Sequence, residues 1–221
     1  MVQDEELFIN IHTHTDTKEK NVLKIVNLFP GAENIKNNYY SAGIHPWFLT
    51  EDYKKDLESI KLFLKNEKVI AIGEAGMDNV KGIEPEFQEK VFIEQAELGE
   101  LLGKPLIIHC VRAYNPLLRI RKEKRWKQPW LFHAFNSSPG MAKALTGAAC
   151  YLCFGQFLFS NNGNAAFTFK DIPLHFIFLE TDESKHSIVE VYEQAAKLKD
   201  MQLKELKIQI NHNFEKCFPH L

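Results

Sequence analysis

Cysteine is scarce. Four residues, Cys110, Cys150, Cys153 and Cys217, are spread over a chain of 221. That is too few and too scattered for a disulfide framework, and it fits a reducing compartment. Charge of one sign is lacking too: 27 basic residues face 29 acidic ones, for a net charge of −2. No overall positive field therefore draws the chain to nucleic acid or lipid, and a polyanionic substrate has to be held locally, by a site. No apolar run approaches the ~18 residues of a membrane span. The opening Met1-Val-Gln-Asp-Glu-Glu lacks the basic and apolar regions of a secretion signal. Low-complexity tracts, Gly/Ser linkers and internal repeats are absent as well. A hydrophobic content of 45% with 25% charged residues is ordinary for a globular chain and excludes a disordered or collagenous one. The expectation is a soluble, cytoplasmic, single domain over residues 1–221, with no membrane association and no obligate protein partner.

What recurs is a short β-type apolar run that ends abruptly in polar, reactive residues. Eight such runs are found, at 7–11, 22–29, 39–44, 69–74, 105–110, 130–135, 150–155 and 177–182. Most are nearly continuous hydrophobics, which suits parallel strands covered on both faces. Helical patterns separate several of them. The spacing predicts helices over 51–65, over 85–102 with Gly103 as its stop, and over 188–199. Strand alternating with helix eight times points to a (β/α)8 TIM barrel, with a doubly wound open sheet as the alternative. Between 15 and 38 the connections are too short for full helices, so the barrel is expected to be trimmed around its second strand.

Five of the nine histidines fall at strand C-terminal ends. His12 and His14 close the first run, His45 follows the third, His109 ends the fifth and His133 interrupts the sixth. Glu74 and Asp182 end two more. Residues two apart on a strand share a face, so His12 and His14 can bind one ion together. In a parallel barrel all strand C-termini meet at one rim, which gathers His12, His14, Glu74, His109, His133 and Asp182. Imidazole nitrogen with carboxylate oxygen is a ligand set for Zn²⁺, compatible with Mn²⁺ or Mg²⁺, and a carboxylate can bridge two ions. Ion pairs of this kind, ~3.5–4 Å apart, supply a nucleophilic hydroxide and clamp phosphoryl oxygens.

In these residues the sequence resembles the TatD family of metal-dependent hydrolases, within the amidohydrolase-like barrel superfamily. The resemblance runs in order through Asn10-Ile-His-Thr-His14, Gly43-Ile-His-Pro46, Gly73-Glu-Ala-Gly-Met-Asp78 and Glu86-Phe-Gln88. It continues through Lys104-Pro-Leu-Ile-Ile-His109, His133-Ala-Phe135 and Glu180-Thr-Asp182, ending at Asn213. It implies two divalent metal ions (Zn, Mn or Mg). His12, His14, Glu74 and Asp182 would hold the first, and Glu74 would bridge to a second completed by His109 and His133. It implies a nuclease, most often a deoxyribonuclease, in which Asp182 orients or deprotonates the attacking water and His45 sits beside the substrate phosphate. The departures lie around the ligands. Asn10 stands where the family has Asp, and Arg112 sits one residue further from His109 than usual. Asn136-Ser137 and Glu183-Ser184 replace the usual residues after His133-Ala-Phe135 and Asp182. Hydrolase chemistry on DNA or a small phosphodiester is thus the leading expectation. A metal-dependent amide or ester hydrolase, or a catalytically decayed metal-binding relative, are the alternatives.

Three further features complete the reading. Arg112 is a candidate phosphate contact, and Trp47 a candidate wall on which a base stacks. The basic run 119–127 precedes the sixth strand, which places it on the face opposite the rim as a solvated helix end. Cys150 and Cys153 are expected in the core, and Cys110, without an activating neighbour on its own face, is not expected to be a nucleophile.

Overall fold

The eight apolar runs become eight strands, hydrogen-bonded side by side in chain order and all parallel. They are β1 (Phe8–Thr13), β2 (Val22–Leu28), β3 (Tyr39–Ala42), β4 (Val69–Asp78), β5 (Leu106–Val111), β6 (Trp130–Phe132), β7 (Tyr151–Phe154) and β8 (Ile177–Leu179). The computed structural model describes residues 6–32, 35–36, 38–160, 163–219 and 221. An isolated parallel bridge between Thr13 and Asp182 brings the last strand back to the first, so the sheet nearly closes into a (β/α)8 TIM barrel. The open-sheet alternative falls with that bridge.

The helices are α1 (Tyr53–Phe63), α2 (Pro85–Leu102), α3 (Tyr114–Lys124), α4 (Pro139–Gly147), α5 (Asn164–Asp171), α6 (Ile188–Lys199) and α7 (Leu203–Cys217). Their ends have local causes. Pro85 opens α2 with its φ preset for the first turn, and Gly103 closes it at φ 64°. A capping box between Ser187 and Glu190 starts α6. All ten residues of β4 are buried, as a strand between a packed interior and a helical layer requires.

Among the described residues no helix lies between β1 and β2 or between β2 and β3, which is the expected trimming. Lys24 of β2 is 2% exposed and pairs with Glu19, so the connection itself covers a strand that no helix covers. The strand limits differ from expectation where the functional residues begin. β1 runs on through His12 to Thr13, and β4 continues past Glu74 to Asp78. By contrast β6 stops before His133 and β8 before Asp182. No described helix is long and apolar enough to cross a membrane.

Candidate metal centre

Glu74 sits where β4 loses register with β5, between Ile72 and Ala75. Such bulges re-aim a side chain at a barrel rim. Gly76 makes this one feasible, because a Cβ there would stand 1.9 Å from the carbonyl oxygen of His109. The Glu74 amide donates to Asn27 Oδ1 at 2.6 Å, and Ser41 donates to the same oxygen at 3.2 Å. The backbone under the carboxylate is thereby held from two neighbouring strands. β1 also shifts register between Asn10 and Thr13, around His12.

The Glu74 carboxylate, 3% exposed, divides its surroundings. Oε2 faces His12 Nε2 at 3.5 Å and His14 Nε2 at 3.6 Å. Oε1 faces His109 Nδ1 and His133 Nε2, both at 2.8 Å, and His45 Nε2 at 3.0 Å. Asp182 lies across from it, with Oδ1 at 3.6 Å from His12 and 3.3 Å from His14. Three overlapping sets of donor atoms, each within 4.8 Å of one another, result: His12, His14 and Glu74; His12, His133 and Asp182; His45, Glu74 and His109.

These residues fit a divalent cation on their own chemistry. The donors are the imidazole and carboxylate groups that Zn²⁺, Mn²⁺ and related ions take. Neither nitrogen of fully buried His12 has a hydrogen-bond partner, an arrangement that buried polar groups rarely show without a ligand. The electrostatics agree. Burial lowers the affinity of His12 and His14 for protons, yet the Asp182 and Glu74 carboxylates, 3.3–3.6 Å away, outweigh it and lift them to about 10 and about 9. Burial likewise works against ionised Glu74 and Asp182, but the histidines around them hold both carboxyls well below the usual range. For His133 burial outweighs the neighbouring carboxylates and shifts its affinity for protons down. The pocket selects positive charge.

His45 is placed differently from the other imidazoles. Its Nδ1 accepts the Trp47 amide at 3.0 Å, capping the short turn Pro46–Phe48. In that tautomer Nε2 carries the hydrogen, so the atom that faces Glu74 Oε1 at 3.0 Å is a donor rather than a lone pair.

Asp182 adopts φ 51°, and Ala134 and Arg112, which follow His133 and β5, adopt 47° and 53°. Left-handed backbone at non-glycine residues is strained and gathers at functional sites. Here it recurs at three of the rim turns. The turn at Asp182 is fastened through Asn10, whose side chain donates to Thr181 Oγ1 at 2.9 Å and accepts the Thr181 amide at 3.0 Å. Asn10 therefore serves as a neutral tie between β1 and β8. Burial drives Glu180 up to about 8, and its Oε1 accepts the Ala134 amide, supporting the turn beside His133.

Next to His109 and His133 opens a cavity of about 530 Å³ lined by Trp47, Arg112, Tyr114, Asn136 and Phe157, among others. The Arg112 side chain is exposed and makes no ion pair among the described residues. Cys110 also lines this cavity, but burial pushes its thiol up, so it offers no thiolate. Cys150 and Cys153 are buried in the core. The basic run is engaged elsewhere: Arg119 with Glu89 and Glu123, Lys124 with Glu97.

A model described as TatD related DNase matches residues 4–219. The chain belongs to the TatD family. An uncharacterised metal-dependent hydrolase from Buchnera aphidicola subsp. Baizongia pistaciae is 30% identical, over 95% of this chain and 84% of that relative. The uncharacterised metal-dependent hydrolase YabD of Bacillus subtilis is 30% identical over 81% of this chain and 77% of its own. Among solved structures, the TatD homologue YJJV of Escherichia coli K12 superimposes with a TM-score of 0.83 at 21% identity, covering 97% and 98% of the two chains. This TatD protein is thus a metal-dependent hydrolase, built on a barrel whose rim carries a His/Glu cluster able to hold metal ions.

Two supports went unread in the sequence. Asn27, inside the second apolar run, holds the Glu74 amide. Asp78 contacts both His109 and Trp47, and its own backbone is clamped by Gln88. The glycines flanking Glu74 were the available signal for a bulge there.

Proposed function

We propose that this TatD protein is a phosphodiesterase acting on DNA or a smaller nucleotide diester, with two divalent ions joined by Glu74. One observation carries the proposal. The two oxygens of a single buried carboxylate face two separate groups of imidazoles, His12 and His14 on one side and His109 and His133 on the other. That division is what a bridging ligand between paired ions needs. Bound there, divalent cations would activate water and polarise the phosphoryl oxygens.

The chain's own residues supply the rest. Asp182, whose side chain is 21% exposed, accepts the proton of the attacking water and passes it to the departing oxygen. Arg112 draws the phosphate to the mouth by charge, and the His45 Nε2–H donates to a non-bridging oxygen. Water adds to phosphorus and the ester P–O bond breaks, leaving a phosphomonoester and an alcohol. The cavity between Trp47, Tyr114 and Phe157 has the size of a small-ligand site, and its aromatic walls suit a flat, unpaired base beside the scissile bond.

Hydrolysis of a bis-aryl phosphate and of single-stranded DNA by the metal-loaded protein tests this, against cyclic amides and lactones as competitors. Asp182→Asn is expected to lower kcat by ~10²-fold or more while the barrel stays folded by circular dichroism. His109→Ala is expected to act similarly through lost metal. Activity retained in both variants, or confined to the amides and lactones, would contradict the proposal. Full metal occupancy with no turnover would favour a binding protein instead.

A further inference from the structure

We infer that Asp78 is a positioning residue that ties the metal centre to the substrate cavity, holding His109 on one side and the Trp47 indole on the other. Its Oδ2 accepts the Trp47 Nε1–H at 2.6 Å and lies 3.3 Å from His109 Nε2. Its Oδ1 accepts the amides of Val80 at 2.8 Å and Lys81 at 2.9 Å. The residue is 3% exposed, and Gln88 fixes its backbone through both the amide and the carbonyl.

Three consequences follow from that geometry. A carboxylate accepting from His109 Nε2–H leaves the Nδ1 lone pair aimed at the centre, where it stands 2.8 Å from Glu74. The same carboxylate fixes the angle of the indole, which packs edge-on to His109 with ring centroids 5.6 Å apart. It also anchors Lys81, whose ammonium covers the indole face at 3.5 Å. A movement of His109 on ion binding is therefore felt at the cavity wall, and a ligand against Trp47 is felt at His109.

The residue type is dictated. Three partners of the side chain, the Trp47 indole and the Val80 and Lys81 amides, are fixed N–H donors, and His109 Nε2 is the fourth in the tautomer that frees Nδ1; an ionised carboxylate accepts from all four at once. Asparagine would turn its own NH₂ against two of them, whichever way the amide is flipped.

The inference rests on the metal centre proposed above, and the experiment separates the two. Indole N–H signals of the full, nitrogen-labelled chain are followed by NMR during Zn²⁺ titration, with Trp126 and Trp130 as internal references. The Trp47 signal is expected to move with ion binding while the other two stay in place. Calorimetric titration of Asp78→Asn is expected to show metal affinity lowered by ~10–100-fold. Its Trp47 signal should shift toward that of an unbonded indole and lose its response to the ion. If Asp78→Asn fails to fold, the titration of the unsubstituted chain alone decides. Ion binding with a stationary Trp47 signal overturns the inference, as does a folded Asp78→Asn that binds Zn²⁺ as tightly as the parent. Absence of any binding to the parent overturns both this inference and the metal centre beneath it.

Discussion

At the scale of single residues, the chemistry was legible wherever the residue type itself is unusual for its position. Histidine and carboxylate at the end of an apolar run are costly to bury without a partner, so His12, His14, Glu74, His109, His133 and Asp182 stood out, and the structure gathers them. Asn27 and Asp78 did not stand out, because their work is done through hydrogen bonds that depend on which strand lies alongside. The charges gathered at the centre have a consequence in pH. In chelated protein, His12 and His14 bind protons more tightly folded than unfolded, at about 10 and about 9 against 6.5. Their contribution to stability is complete below pH 6.5 and is lost as pH rises through those values. Glu74 and Asp182 are depressed, so their contribution is present above their ordinary range and is lost as pH falls through their lowered values. The Tm of chelated protein is therefore expected to be highest near pH 5–6 and to fall toward pH 10. Zn²⁺ or Mn²⁺ should suppress that fall by replacing the protons. A Tm in chelator that stays flat from pH 6.5 to 10 would contradict this assignment.

At the scale of elements, helices with chemical punctuation were readable to the residue. Pro85 and Gly103 delimit α2, and Ser187 with Glu190 opens α6. Strand ends were not. An apolar run does not reveal that β4 continues beyond Glu74 or that β8 stops short of Asp182, since pairing with neighbours decides both. The bulge at Glu74 is the element on which the site turns, and it depends on close backbone approach at Gly76. Gly76→Ala is expected to destabilise by ~3 kcal/mol or more and to weaken metal binding, because the intruding Cβ meets backbone that cannot give way. Ser187→Ala, which removes only the cap of α6, should cost ~1 kcal/mol and leave metal binding intact. Denaturant unfolding and metal titration of the pair provide the check. Equal effects on both readouts would show that the bulge has no special part in the site.

At the scale of the whole molecule, 221 residues is short for a barrel of this kind, where ~250 is typical. The economy lies in the β1–β2 and β2–β3 connections, which carry no helix among the described residues, and the β1–β2 connection, paired through Glu19 with buried Lys24, covers β2 instead. Strand order and closure could be anticipated from alternation alone, because a parallel barrel is the compact way to cover eight such strands. The width of the cavity and the angle of Trp47 could not, since they arise from side chains of β4 and β5 and of the segments that follow β3, β5, β6 and β7 meeting in space. We propose that this rim hydrolyses phosphodiesters with bound divalent ions. The most direct measurement is turnover of a single-stranded oligonucleotide by chelator-treated protein as Mn²⁺ or Zn²⁺ is restored, with bound metal determined on the same samples. Turnover should be absent at the start and rise with occupancy, levelling off at two ions per chain. Turnover undiminished in chelator, or none at full occupancy, would contradict the claim.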